Sequence, residues 1–163
     1  MFKLLFQSAT IITRTLLLII GLFSLGVGGL IYFCLRKQGF LLLSWFGYSK
    51  YNPFFCERVY HFFIQNRFGE WIIYSFPDGI WPFALTNFLL AIYSPFKIKS
   101  LFLITLFAFI ISLTHEICQL VLFCKGTFDS IDILTIFLFW ILALLNYNII
   151  RSLRCGKKTA FHC

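Results

Sequence analysis

Two long apolar stretches of sequence limit the folds that this chain can adopt. Residues 15–35 carry no charge and lie between Arg14 and Arg36. Residues 100–124 form a second such stretch, in which Glu116 is the single charged side chain. A helix of about 20 residues extends about 30 Å, which matches the hydrocarbon thickness of a bilayer. Both stretches are therefore predicted to be membrane-spanning helices.

The composition of the whole chain indicates the same class of protein. Its 163 residues fit one domain, and 60% of them are hydrophobic while only 12% are charged; soluble domains are about 25% charged. The net charge of +8 comes from basic residues that stand singly or in pairs beside apolar stretches, as residues flanking membrane spans do. We therefore predict an all-α, polytopic transmembrane helical bundle, a single membrane domain that has the lipid bilayer as its partner and binds no nucleic acid.

Four spanning helices are predicted, at about residues 15–35, 79–96, 100–124 and 133–150. Pro77 and Asp78 precede the second span and Pro82 falls in its first turn, where proline is tolerated and an acidic residue is favoured. The short connections between the last three spans predict antiparallel neighbours. In the first span, Ser24 and nearby glycines form a patch of small residues, which either allows close helix packing or is merely tolerated in a membrane helix: Gly21, Gly26, Gly28 and Gly29.

Residues from about 40 to 74 are predicted to form an interfacial segment, because they combine charged side chains with many aromatic ones. Within this segment Glu57, His61 and Gln65 recur at four-residue steps, which predicts one polar face of a helix at the membrane surface. The chain continues beyond the last span as a basic tail, residues 151–163.

The basic residues also predict an orientation. If both termini are cytoplasmic, the cytoplasmic segments carry eight of the 14 Lys and Arg residues and the outer segments carry six. Cytoplasmic segments of membrane proteins are enriched in Lys and Arg. We therefore expect a multi-pass protein of the cell (inner) membrane with both termini in the cytoplasm.

Glu116 is the most informative single residue. An ionised carboxylate in hydrocarbon is costly unless it is paired, hydrated or protonated. Thr105, Ser112 and Gln119 lie on the same helical stripe as Glu116, at steps of seven, four and three residues. We expect this stripe to face other helices, because polar groups that face lipid would lack hydrogen-bonding partners.

Three other acidic residues are expected at the same membrane face as Glu116. Asp78 precedes the second span, and Asp129 and Asp132 precede the fourth, so alternating spans bring all of them to one side. Each has a structural alternative: the aspartates as residues that start helices, and Glu116 and Gln119 as interhelical hydrogen-bonding residues. Their convergence predicts an acidic and amide pocket in which these five residues are the ligand-binding candidates.

No sequence pattern predicts a metal or cofactor site. The segment His115–Gln119 resembles the zinc motif H-E-x-x-H, but Gln replaces the second His, which leaves one good zinc ligand from histidine. The six cysteines show no C-x-x-C spacing. We therefore expect neither a metal nor a cofactor.

Glu116, Gln119 and the segment 126–132 also resemble a family pattern. In VanZ-like membrane proteins a Glu, and a Gln a few residues later, lie near the end of a membrane helix, and a loop of the type G-R-x-F-D-x-x-D leads into the last helix. This chain reads E-x-x-Q and then G-T-F-D-S-I-D, with Thr127 where the family commonly has Arg. Residues 75–81, S-F-P-D-G-I-W, resemble the P-D-G-x-W segment of divergent members.

The resemblance covers about residues 75–146 and implies a polytopic membrane protein. Founding members of the VanZ-like family are linked to low-level glycopeptide resistance, but the family implies no known reaction. By this resemblance, the motif positions of the family correspond to five residues of this chain: Asp78, Glu116, Gln119, Asp129 and Asp132.

The leading hypothesis is a protein that binds an envelope or lipid-linked ligand at an acidic and amide pocket on the outer face. A second hypothesis is a membrane enzyme acting on a lipid-linked substrate, in which burial near like charges would make one carboxylate a general acid or base. The sequence shows no recognisable nucleophile pattern, so binding is favoured over catalysis. A third hypothesis is a structural or assembly subunit of a membrane complex, in which the polar residues hold helices together.

Overall fold

The computed structural model describes residues 2–35, 54–93, 98–121 and 128–159 of the chain. All regular elements in these residues are α-helices, which confirms the all-α prediction for this part of the chain. They are numbered here in chain order: α1 (Phe2–Leu35), α2 (Phe54–Phe63), α3 (Arg67–Tyr93), α4 (Ile98–Leu120) and α5 (Ser130–Thr159).

Three of these helices are long and apolar enough to cross a membrane: Ile11–Tyr32 within α1, Ser100–Leu120 within α4 and Ser130–Ser152 within α5. This agrees with a multi-pass membrane protein. The second predicted span, residues 79–96, falls largely in α3, which is not among the three. The physical reason is that α3 carries Asp78, Thr86 and Asn87 together with two prolines, and these residues lower its mean hydropathy.

The start of α3 corrects the prediction for Asp78. The helix begins at Arg67 rather than near Gly79, so Asp78 lies inside the helix and does not start it. Asn66 caps the helix: its Oδ1 accepts a hydrogen bond from the backbone N–H of Gly69 at 2.7 Å. Glu70 then stands in the first turn, where a negative charge is favoured.

α3 is the central helix, and it contacts each of the other four. Its packing against α1 is antiparallel, because Gly28 faces Ile80 while Gly21 faces Phe88. A Cβ added at Gly21 would lie 2.7 Å from a ring carbon of Phe88, so the missing side chain permits this approach. A Cβ added at Gly26 or at Gly29 would have nothing within 4 Å. Only part of the glycine patch therefore serves helix packing.

Against α5, α3 packs in parallel. Phe76 makes an edge contact with Phe139, with ring centroids 5.3 Å apart, and further along both helices the amides of Asn87 and Asn146 are hydrogen-bonded. α4 runs antiparallel to α5, as the short connection predicts. This arrangement places the start of α5 beside the end of α4.

Part of the predicted interfacial segment is described. Residues 40–53 lie outside the described residues, whereas α2 and the first turns of α3 fall within it. His61 on α2 is exposed, whereas Gln65 lies beyond the end of the helix at Phe63 and is exposed there, and the side chain of Glu57 lies outside the described part. The polar face therefore stays a prediction. Tyr60 on the other side of α2 is buried with Leu35 and Ile73. The location of α2 at a membrane surface stays a prediction.

Candidate functional site

Three carboxylates from three different helices meet at one end of the bundle. Asp78 comes from α3, Glu116 from α4 and Asp132 from α5, and one carboxylate oxygen of each lies within 4.8 Å of the other two. Glu116 is 2% exposed and Asp132 is 8% exposed, while Asp78 is half-buried. These three residues are called the carboxylate cluster below.

The position of Glu116 follows from the burial of its helix face. Ala108 and Thr105 lie two and three turns earlier on α4, and both are fully buried. The carbonyl of Thr105 accepts a hydrogen bond from the indole N–H of Trp140 on α5 at 3.0 Å. This face of α4 is thereby held against α5, and Glu116 is carried into the bundle rather than toward lipid. Near the C-terminal end of α4, however, the helix dipole disfavours its negative charge.

Asp132 occupies the first turn of α5, where the helix dipole favours a negative charge. Its backbone N–H donates to the carbonyl of Asp129 at 3.0 Å. One turn further, Thr135 is buried, and its hydroxyl accepts a hydrogen bond from the indole N–H of Trp71 on α3 at 3.0 Å. These contacts hold the first turns of α5 against the half of α3 that carries Asp78.

Two nearby residues of α3, Gly79 and Pro82, determine the packing and the backbone hydrogen bonding around Asp78. A Cβ added at Gly79 would lie 2.7 Å from Cγ2 of Thr135 and 2.8 Å from Cδ2 of Phe139, so the glycine is what lets α3 approach α5 this closely. Pro82 has no N–H, and the carbonyl of Asp78 therefore receives no helical hydrogen bond from position 82.

The spacing of the cluster has an electrostatic cost. Two unit charges within 4.8 Å of each other repel by about 3.5 kcal/mol or more at an effective dielectric constant of about 20. Three ionised carboxylates would make three such pairs, in addition to the cost of burying Glu116 and Asp132. A positive group beside the carboxylates, from the protein or from a ligand, or protonation of one or more of them, would offset this repulsion.

The same spacing suits a small cation. Calcium binds oxygen ligands at about 2.3–2.6 Å, so no two of its ligands lie more than about 5.2 Å apart, and the spacing of up to 4.8 Å within the cluster falls inside this limit. A primary ammonium group that donates tetrahedral hydrogen bonds of about 2.8 Å holds its acceptors about 4.6 Å apart. Either species could contact all three carboxylates at once. The sequence indicated no metal site, because these three ligands lie far apart along the chain.

Two of the five predicted site residues are engaged elsewhere. Asp129 is exposed, and its Oδ1 accepts a hydrogen bond from the backbone N–H of Ile131 at 2.9 Å. It therefore acts as the helix-start residue that was its structural alternative. The side-chain nitrogen of Gln119 lies 3.0 Å from Nε2 of His115 on its own helix. Whether any of the five binds a ligand stays a prediction.

Sequence reasoning overlooked two aromatic residues on the helix that carries Asp78. Tyr74 and Trp81 lie four residues before and three residues after Asp78, which places all three on one face of α3. Tyr74 is 46% exposed and Trp81 is 60% exposed. Such rings are common at membrane interfaces, and they also pack against cationic groups. The signal in the sequence was the spacing i, i+4, i+7.

Comparison of the chain with protein-family models, curated proteins and solved structures found no match. The resemblance to VanZ-like proteins therefore stays a prediction that rests on the quoted residues.

Proposed function

We propose that this chain is a multi-pass membrane protein, related to the VanZ-like family, that binds a positively charged group at the carboxylate cluster. The observation that carries the proposal is the meeting of Asp78, Glu116 and Asp132 from three helices within 4.8 Å. The positive group would be the ammonium of an envelope or lipid-linked ligand, or a divalent cation that bridges to the phosphate of such a ligand.

Three further features support binding in preference to a purely structural role. Burial removes water that would otherwise screen the three charges, so a bound cation offsets more repulsion here than at a surface. Half-buried Asp78 leaves one side of the cluster open to a ligand. The exposed rings of Tyr74 and Trp81 lie on the same face of α3 as Asp78 and offer contact area to a headgroup.

The proposal includes α3 as a fourth helix within the membrane. Its antiparallel packing on α1 and parallel packing on α5 suit four alternating spans. With both termini in the cytoplasm, the second, third and fourth spans then place the cluster at the outer face. Polar side chains on α3 are tolerated because twelve of its residues, Asn87 and Thr86 among them, are buried by other helices.

Binding by the purified full chain in lipid nanodiscs tests the proposal. Calcium and a lipid with a primary ammonium headgroup are the two probes, titrated separately. We expect at least one to bind the wild type, and we expect Glu116→Gln to weaken that binding by about tenfold or more, since each 1.4 kcal/mol lost is a factor of about ten. Asp129→Asn is the matched control, because its carboxylate is exposed and Asn still caps a helix.

Two outcomes would contradict the proposal. One is that neither probe binds the wild type. The other is that Glu116→Gln and Asp129→Asn bind equally well. If Glu116→Gln instead lowers thermal stability and yield without changing binding, the cluster serves the structural or assembly role. Turnover of a lipid-linked substrate by the same preparation would favour the enzyme hypothesis.

A further inference from the structure

A second buried polar group lies deeper in the bundle than the carboxylate cluster. Thr86 of α3 is 0% exposed, and its hydroxyl oxygen forms no hydrogen bond within the part of the chain that the structure describes. Eight residues separate it from Asp78, which is about 12 Å along the helix. A buried hydroxyl without a hydrogen bond is unfavourable, so this position requires an explanation.

Other helical hydroxyl groups of the bundle are satisfied locally. Ser112, Thr114 and Thr135 each donate to the carbonyl four residues earlier, at 3.1, 2.7 and 2.8 Å. The equivalent acceptor for Thr86 is the carbonyl of Pro82, and the Thr86 hydroxyl does not use it. The local bond that satisfies the other three hydroxyl groups is therefore missing at Thr86.

Two amides lie beside it, at the contact between α3 and α5. Nδ2 of Asn146 donates to Oδ1 of Asn87 at 2.9 Å, and Nδ2 of Asn87 donates to the carbonyl of Phe83 at 2.8 Å. Each amide offers two N–H donors and an oxygen with two lone pairs, so these two bonds leave capacity unused. Thr86, Asn87 and Asn146 are called the polar layer below.

The helix geometry places Thr86 on the same side as the amides. Thr86 follows Gly79 by seven residues, two helical turns along the same face, and Gly79 is in contact with Thr135 and Phe139 of α5. Ala143, three residues before Asn146, is fully buried and has a small side chain. Thr86 therefore lies on the face of α3 that packs against α5, where small residues and amides are found.

We infer that the polar layer holds one water molecule, which bridges the Thr86 hydroxyl to the Asn87–Asn146 pair. A buried water ordinarily makes two to four hydrogen bonds to groups that protein atoms leave unsatisfied, and these three side chains supply such partners. The layer contains no charged side chain, so a neutral ligand suits it better than an ion. This inference does not depend on what the carboxylate cluster binds.

Thermal unfolding of Thr86→Val in detergent tests the inference, because Val keeps the shape of Thr and removes only the hydroxyl. Loss of a bridging water should lower the apparent Tm by about 2–4 °C, the shift for roughly one hydrogen bond in a chain of this size. A dry, unsatisfied hydroxyl gives the opposite sign, because its removal relieves a penalty. An unchanged or raised Tm would overturn the inference.

Thr105→Val is the matched control. Thr105 is also fully buried, but its hydroxyl donates to the carbonyl of Phe102 on its own helix at 2.9 Å. We expect Thr105→Val to lower Tm by a similar amount, because each variant loses one buried hydrogen bond; a fall in Thr105→Val with none in Thr86→Val would overturn the inference.

A double-mutant cycle of Thr86→Val with Asn146→Leu supplies the second measurement. A shared water couples the two sites, so the double variant should lose less than the sum of the single variants. Strictly additive shifts would overturn the bridge.

Discussion

At the scale of single residues, Asp129 and Asp132 show how position decides the role of the same side chain. They stand three residues apart at the start of α5. Asp129 is exposed and bonded to the backbone N–H of Ile131, while Asp132 is 8% exposed and lies in the carboxylate cluster. The carboxylate of Asp129 accepts a hydrogen bond from a backbone N–H at the start of the helix, and that of Asp132 adds a carboxylate to a buried site.

Asp129→Ala should therefore destabilise the protein without weakening ligand binding. Loss of a helix cap costs about 0.5–2 kcal/mol, which corresponds to a fall in Tm of a few degrees for a chain of this size. Asp129→Asn should retain most of the stability because Asn also caps. Thermal unfolding of the three proteins in one detergent checks this, and equal destabilisation by Ala and Asn would contradict the capping role.

At the scale of elements, α3 positions the site. Its cap at Asn66 starts the helix far enough upstream for Asp78 to lie within it, and Gly79 lets it approach α5. Prolines inside the helix are tolerated because neighbouring helices can satisfy the backbone groups that proline leaves open. The helix therefore combines tight packing with a polar face.

Gly79→Ala is expected to disturb both stability and binding. The added Cβ would lie 2.7 Å from Thr135, a stiff β-branched side chain, and 2.8 Å from the ring of Phe139. Overpacking of this kind costs about 1–3 kcal/mol, and any shift of α3 away from α5 moves Asp78 from Asp132. Thermal unfolding and the nanodisc binding assay measure the two effects.

Gly26→Ala is the control for that substitution. Nothing lies within 4 Å of its added Cβ, and Ala favours helix more than Gly by about 1 kcal/mol. We expect unchanged or slightly higher stability and unchanged binding. If both glycine variants behave alike, helix propensity and not the contact with α5 explains the result.

At the scale of the whole molecule, the orientation decides which side of the membrane the cluster faces. The parallel and antiparallel contacts put the end of α4 and the starts of α3 and α5 at one end of the bundle. The excess of basic residues in the segments on the side of the termini favours a cytoplasmic location for those segments. If those segments are cytoplasmic, as we predict, the cluster faces the outside, where envelope ligands lie.

A phosphatase that is active only outside the cytoplasm, fused after Cys163, should be inactive. A fusion of a fluorescent protein that folds only in the cytoplasm should be bright at the same position. The reverse pair of signals would place the termini outside and the cluster at the cytoplasmic face, and an envelope ligand would no longer be tenable.

The sequence by itself was enough to predict a membrane environment and the candidate site residues. Apolar stretches of about 20 residues leave the backbone no favourable state in lipid except a helix, so the all-α class follows from residues 15–35 and the stretch around Glu116. The alternation of spans also predicted that Asp78, Glu116 and Asp132 come to one end, because antiparallel neighbours return the chain to the same side.

Only the tertiary structure decided which acidic side chains meet. The rotation of each helix about its axis depends on packing, and contacts such as Gly79 with Phe139 and Trp140 with Thr105 fix that rotation. Asp129 and Asp132 stand only three residues apart, yet Asp132 is buried in the cluster and Asp129 is exposed. The local sequence does not predict these contacts, because the two residues of each contact lie tens of residues apart along the chain.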